Sequence, residues 1–254
     1  MSLWKQQSMT WNAEARRVGG DRAADEANVF RRHGFVDLPK FLGAPAALDY
    51  LERHSVARQD PSCPTISRFP VKDLLSYIPL KEYATDPMVM RWAAMHIGAW
   101  PVINDVSCWV THEGDAGDPG AQRWHRDLDD WRAAKLFIYL TDVDNGCGPH
   151  EFIPGSHKSI LFHEHGHPAD IFFVGAGREM MPSIGQILEE LPRVRFIGAP
   201  GRAWMANTYA FHRGTPVFRK GARRVVFQVM YGLMDLEADL GPGTNIPKIR
   251  AAGW

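Results

Sequence analysis

The chain has 254 residues, 45% of them hydrophobic and 23% charged, with 29 basic and 29 acidic side chains and a formal net charge of zero. A neutral balance offers no basic face to draw in phosphates, so no nucleic-acid partner is expected. No apolar run reaches the roughly 18 residues of a membrane span, and Met1 to Arg17 has no apolar core of a targeting segment. Three scattered cysteines, Cys63, Cys108 and Cys147, form no CxxC and leave neither a disulfide framework nor a zinc ribbon, so a soluble cytoplasmic protein is expected.

Residues 1 to about 20 read as a loosely ordered leader ending at Gly19-Gly20. Ala24, Val29 and Phe30 then mark a helix stopped by Gly34, and Phe35-Val36-Asp37-Leu38 alternates as a short strand ended by Pro39. Pro45 to Ala57 predicts a second helix with proline in its first turn. Asp60-Pro61-Ser62-Cys63-Pro64 is a loop, and helical texture returns at Val71 to Tyr77 and at Asp86 to Ile97. Residues 1–100 are therefore expected to form a mainly helical buttress.

After Pro101 the texture changes. Seven strands are predicted: Val102 to Thr111, Arg123 to Asp127, Lys135 to Thr141, Glu151 to Pro154, Arg193 to Ile197, Ala203 to Tyr209 and Arg223 to Gly232. Glycine- and proline-rich turns separate them. A jelly roll over 101–235, able to enclose a pocket between two sheets, fits best, with 236–254 as a tail of one 254-residue domain. Ala169 to Leu191 interrupts the strands as a partly helical lid or wall.

The chemistry gathers around Trp124-His125-Arg126-Asp127. In an extended chain, side chains two apart share a face, so His125 and Asp127 place an imidazole and a carboxylate together. They make two thirds of the 2-His-1-carboxylate set that holds Fe(II) and leaves positions open for substrates. His212, in Ala210-Phe211-His212-Arg213-Gly214, is the candidate third ligand, at a strand end entering a turn.

Arg223 and Arg224 open the last strand, and alternation divides it into two faces. Arg223 shares its face with Val225, Phe227, Val229 and Tyr231, whereas Arg224 goes with Val226, Gln228 and Met230. The first set is the more apolar, which directs Arg223 into the barrel, where a buried guanidinium needs a carboxylate partner. A dicarboxylate ligand chelating iron at its other end satisfies both sites. Lys135 shares a face with Phe137, Tyr139 and Thr141, and either assists carboxylate binding or snorkels at the rim. Trp109 and Trp124 are candidates for the pocket wall.

Gln122-Arg123-Trp124-His125-Arg126-Asp127, the strand from Lys135, Asn145-Gly146-Cys147-Gly148-Pro149-His150-Glu151-Phe152-Ile153-Pro154-Gly155-Ser156-His157-Lys158, and His212 followed by Arg223 together resemble the phytanoyl-CoA dioxygenase family over residues ~25 to 235. The resemblance implies a double-stranded β-helix and an oxygenase using Fe(II), 2-oxoglutarate and O2 to oxidise a small molecule, with release of succinate and CO2. It also implies that His125, Asp127 and His212 are the iron ligands and that Arg223 holds the distal carboxylate of 2-oxoglutarate. His157, in the Pro154 to His157 turn, is not implied as a ligand. Halogenating relatives replace the acidic ligand with a small residue, so Asp127 points to hydroxylation. Two departures stand out: Arg202 before the distal histidine, and His150 where an apolar residue is more usual.

Two other readings compete. Phe162-His163-Glu164-His165-Gly166-His167 offers imidazoles for a zinc-dependent hydrolase, although nothing there makes a helical HExxH. A metal-binding cupin-like sensor without turnover uses the same ligands. Composition and motifs leave the substrate and the oligomeric state open.

Overall fold

The computed structural model describes residues 28–114, 122–127, 130, 132–158, 182–233 and 246–254. The expected leader, the His163 to His167 run, most of the Ala169 to Leu191 interruption and most of the tail lie outside the described residues.

Among the described residues, ten strands form two antiparallel sheets. They are β1 (Phe35–Leu38), β2 (Arg58–Asp60), β3 (Cys63–Arg68), β4 (Val102–His112), β5 (Ala133–Tyr139), β6 (His150–Phe152), β7 (Val194–Phe196), β8 (Ala203–Ala206), β9 (His212–Gly214) and β10 (Arg223–Gly232). The larger sheet has seven strands in the order β1-β8-β5-β10-β4-β3-β2, and the smaller has three in the order β7-β6-β9. Among the described residues, 28–33 are helical, ending before Gly34 as expected, and further helices are α1 (Ala44–His54), α2 (Val71–Leu75), α3 (Ile78–Ala84), α4 (Pro87–Ile97), α5 (Pro182–Glu190) and α6 (Ile246–Ala251). Two sheets, with α1 to α4 and α6 packed on one face of the larger and α5 beside the smaller, are the expected jelly-roll arrangement.

The first hundred residues depart from a helical buttress in one respect: they also supply both edges of the larger sheet, β1 on one side and β2 with β3 on the other. The expected loop at Asp60 to Pro64 is the turn of a hairpin. Asp60 Oδ1 accepts from Ser62 N at 2.9 Å, closing the kind of Asx turn that aspartate favours, and Arg68 Nε donates to Asp60 Oδ2 at 2.7 Å. The flanking strands are too short to announce themselves by alternation. Helix α4 follows local rules closely. Asp86 caps it by accepting from Met88 N at 2.8 Å, Pro87 opens its first turn, and Gly98 ends it at φ 85.

Alternation divides the larger sheet into two faces. Val106, Val110, Leu136, Ile138, Met205, Val225, Phe227, Val229 and Tyr231 point to the helices and pack with Leu51, Leu74, Leu80, Val89 and Ile97. Tyr231 also donates its hydroxyl to Ala84 O at 2.7 Å. The opposite face meets the smaller sheet. There Trp204, fully buried, stacks on Phe137 and Phe196 at 5.3 and 4.6 Å between centroids, in a second cluster with Tyr139, Phe152 and Val226. The chemistry lies beside this second cluster, between the sheets.

Candidate metal centre

Arg123 to Asp127 is not the full strand expected. It joins the smaller sheet at one residue, His125, whose N donates to His212 O at 3.0 Å while His212 N donates to His125 O at 3.1 Å. This reciprocal pair sets the two imidazoles side by side, with ring centroids 4.3 Å apart. Asp127 N is held by Thr208 O at 2.9 Å, which turns its carboxylate toward them. His212 Nε2 lies 3.3 Å from Asp127 Oδ2, and His125 Nε2 lies 3.7 Å from Oδ1. One ligand atom from each of the three residues falls within 4.8 Å of the others.

Each histidine is oriented by its own backbone. His125 Nδ1 sits 2.8 Å from Arg123 O, and His212 Nδ1 sits 2.9 Å from Ala210 O. A carbonyl only accepts, so Nδ1 carries a proton in both rings and Nε2 is the nitrogen turned to Asp127. Two imidazoles presenting Nε2 beside a carboxylate fit a divalent transition metal, and the Nδ1 bonds are the outer partners such ligands need. Burial, with His212 nearby, pushes His125 down to about 4, which keeps it neutral. Burial alone would raise the Asp127 carboxyl, but His212 and Lys135 outweigh it and hold the group well below the usual carboxylate range.

Buried polar contacts brace this centre. Arg126, between the two expected ligands, donates from Nη2 to Ser156 O at 2.7 Å and lies over Phe211 at 4.0 Å. Ser156 Oγ accepts from Phe211 N at 2.7 Å and donates to Ile153 O at 2.7 Å. The Pro154 to His157 turn thus ties the residue that follows His125 to the residue that precedes His212. His157 itself is 3.1 Å from Arg31 O and outside the ligand group. On the outer side of the smaller sheet, the fully buried Glu151 accepts from Arg195 Nε at 2.7 Å and Arg213 Nε at 2.8 Å, on the strands either side of β6.

A cavity of about 540 Å³ opens over the ligand group, lined by residues that include Trp109, Lys135, Phe137, His150, Arg224 and Gln228. Trp109 lines it as expected. Trp124 does not, and its Nε1 donates to Glu189 Oε1 at 2.9 Å. Lys135 is buried and reaches the site, where Nζ pairs with Asp127 Oδ2 at 2.7 Å, so it is no rim residue. Arg202 lies away from the cavity, paired with Asp37 at 3.0 Å.

Arg223 requires a correction. It points away from the cavity, is 45% exposed and pairs with Glu52 of α1 at 2.5 Å. Arg224 is the arginine of this pair that enters the cavity, 4% exposed, donating from Nη2 to Thr111 Oγ1 at 3.2 Å. The expectation failed because it equated the more apolar face of β10 with the pocket. That face lies under the helices, and the mixed face of Arg224, Val226 and Gln228 lines the cavity. The polar spacing of Arg224 and Gln228 was the available signal.

The sequence matches the family model for phytanoyl-CoA dioxygenase over residues 30–225. No curated protein matches it. Solved structures share the fold at low identity. The non-heme alpha ketoglutarate dependent epimerase SnoN from nogalamycin biosynthesis is 20% identical with TM-score 0.57, over 83% of this chain and 84% of that one. HygX from Streptomyces hygroscopicus, with nickel, 2-oxoglutarate and hygromycin B bound, is 16% identical with TM-score 0.58, over 82% and 86%. EctD from S. alaskensis is 18% identical with TM-score 0.54, over 82% and 76%. With the family model spanning most of its length and the histidine–aspartate–histidine group assembled between its sheets, the chain belongs to the phytanoyl-CoA dioxygenase family and is a non-haem Fe(II)- and 2-oxoglutarate-dependent oxygenase.

Proposed function

We propose that His125, Asp127 and His212 hold the iron, that Arg224 receives the distal carboxylate of 2-oxoglutarate, and that the enzyme hydroxylates a small organic molecule. The carrying observation is that both histidines have Nδ1 committed to a backbone carbonyl and Nε2 left beside Asp127, in the same cavity as the buried guanidinium of Arg224. When bound, ferrous iron with 2-oxoglutarate and O2 supplies an oxidant for a substrate C–H bond, with succinate and CO2 as the other products.

The chain's own residues orient and exclude. Lys135 occupies Oδ2 of Asp127, balancing its charge and stopping the carboxylate from rotating. Arg224 Nε has no hydrogen-bond partner among the described residues, so the guanidinium has donor capacity left for a ligand. A planar fork of donors suits a carboxylate better than a point charge does. The remaining wall is mixed: Ile66, Phe69 and Trp109 give it apolar surface, and Arg68, Asp105, Ser107, Gln122 and Gln228 give it charged and hydrogen-bonding groups. Such a wall fits an organic substrate that carries polar groups on an apolar frame. HygX was solved with hygromycin B, which supports a free small molecule as the substrate. No described helix is long and apolar enough to cross a membrane, and Cys63, Cys108 and Cys147 are buried free thiols, which supports a reducing cytoplasm.

Metal binding tests the ligand set. Titrated anaerobically with Fe(II), the wild-type protein is expected to take up one ion per chain, while His212→Ala takes up none at micromolar metal. Unchanged uptake by that variant moves the centre elsewhere, with the His163 to His167 run next to be removed.

A further inference from the structure

Two buried nitrogens belonging to residues of the same cavity have no hydrogen-bond partner among the described residues: Nε of Arg224 and Nε2 of His150. Unpaired buried polar atoms are costly and uncommon in folded proteins. Two on one cavity mark a place where a ligand's polar atoms belong.

The strands bring these side chains together around Gly214. His150 on β6 stands opposite Gly214 on β9, and a β-carbon on Gly214 would lie 2.7 Å from Arg224 Nη2. The missing side chain leaves room for the guanidinium on the residue that faces His150. The approach of β6 is held by a second glycine. Gly148 has φ 69, and a β-carbon there would come 2.5 Å from Thr215 O, so the turn before His150 packs directly on the chain after Gly214.

Two of the polar side chains beside His150, Tyr139 and His212, are already committed. The Tyr139 hydroxyl donates to Phe196 O at 2.9 Å and accepts from the His150 backbone N at 3.0 Å. His212 stacks on the His150 ring, 5.4 Å away and nearly parallel at 5°, with its own nitrogens turned to Ala210 O and Asp127. Phe137 and Trp204 cover His150 at 4.9 and 5.9 Å. The imidazole therefore neighbours both the iron-ligand His212 and the guanidinium, and a ligand reaching from one to the other passes along it.

We propose that His150 donates an imidazole N–H to the distal carboxylate of 2-oxoglutarate, forming with Arg224 a two-armed anchor that selects a dicarboxylate over a monocarboxylate oxo acid. This rests on the reading of Arg224 given above and adds a second, independent arm. An arginine alone leaves part of a carboxylate's acceptor capacity open, and an imidazole on the opposite side of Gly214 fills it.

The test is equilibrium binding of 2-oxoglutarate and of 2-oxopentanoate, which has a methyl group in place of the distal carboxylate, to the anaerobic Fe(II) protein, followed by visible absorption. His150→Phe keeps the aromatic packing and removes the donor. It is expected to weaken 2-oxoglutarate about 10-fold, or about 1.4 kcal/mol, and to leave 2-oxopentanoate unchanged, while His150→Gln, which retains an N–H, restores part of the loss. Wild-type affinity for 2-oxoglutarate in His150→Phe overturns the proposal, as does an equal loss for both ligands, which is the mark of a packing role. His150→Met, similar in bulk and without a donor, takes the same measurement if the phenylalanine variant does not fold. Arg224→Ala separates the two claims. If it leaves the preference for 2-oxoglutarate intact the Arg224 reading fails, whereas a loss there with none in His150→Phe removes only the second arm.

Discussion

The two faces of the seven-stranded sheet are built from the same strands and do opposite work. On the helix side β5 and β10 present Leu136, Ile138, Val225, Phe227, Val229 and Tyr231, all fully buried and all apolar except for one tyrosine hydroxyl. On the cavity side the same strands present Lys135, Phe137, Arg224, Val226 and Gln228. Stability is concentrated on the first face and chemistry on the second. In a jelly roll backed by helices, hydrophobicity therefore locates the buttressed face, and polar residues spaced by two locate the pocket.

Four substitutions sharpen or break this contrast, taken from the largest effect down. Asp127→Ala on the cavity side removes the carboxylate of the proposed ligand group and its ion pair with Lys135. Succinate release is expected to fall by more than about 100-fold, the scale of losing a buried charge contact of several kcal/mol. Turnover within a few-fold of wild type contradicts the ligand assignment.

Phe227→Ala on the helix side is expected to cost about 3–5 kcal/mol of stability in urea unfolding, as large-to-small changes in packed cores do. The affinity of the remaining folded protein for 2-oxoglutarate stays put. A cofactor effect equal to the stability effect breaks the division of labour between the faces.

Lys135→Met keeps most of the length of the side chain and removes its charge from Asp127 Oδ2. Fe(II) affinity is expected to fall about 10- to 100-fold, as for other outer partners of metal ligands. Calorimetric metal titration reads this directly, and an unchanged or higher affinity shows that Lys135 does not position the carboxylate.

Arg223→Ala breaks a half-exposed pair with Glu52. Its cost is expected to stay under about 1 kcal/mol and to shrink further in salt. Chemical denaturation at low and high ionic strength checks it.

Much of this was legible in the sequence, and what escaped did so for definite reasons. His125, Asp127 and His212 announced themselves by residue type and by their places at strand ends, and the structure gathers them. The long strands β4, β5 and β10 carry enough alternation to be seen, and the short β7 falls within the predicted Arg193 to Ile197, whereas β2 and β9 span three residues each and are defined by their partners. The contact of His125 with His212 is a single bridge between distant segments, beyond the reach of any local pattern. Arg224 was weighed and set aside because alternation sorts residues into faces without saying which face a helix will cover. His150 stood out in the sequence as a departure, but its unpaired nitrogen and its place opposite Gly214 are facts of packing. Arg126 and Ser156 gave no signal, since their bonds join parts of the chain far apart in sequence.

The central claim is that the cavity-facing arginine, not its neighbour, grips the cosubstrate of an iron centre built by His125, Asp127 and His212. Anaerobic titration of 2-oxoglutarate into the Fe(II)-loaded protein, watching the visible band of the chelate, measures it in wild type, Arg223→Ala and Arg224→Ala. The account predicts the band in wild type and in Arg223→Ala at the same half-saturating concentration, and a shift of at least about 30-fold, or about 2 kcal/mol, in Arg224→Ala. The reverse order of the two variants, or no band in the wild-type protein, contradicts it.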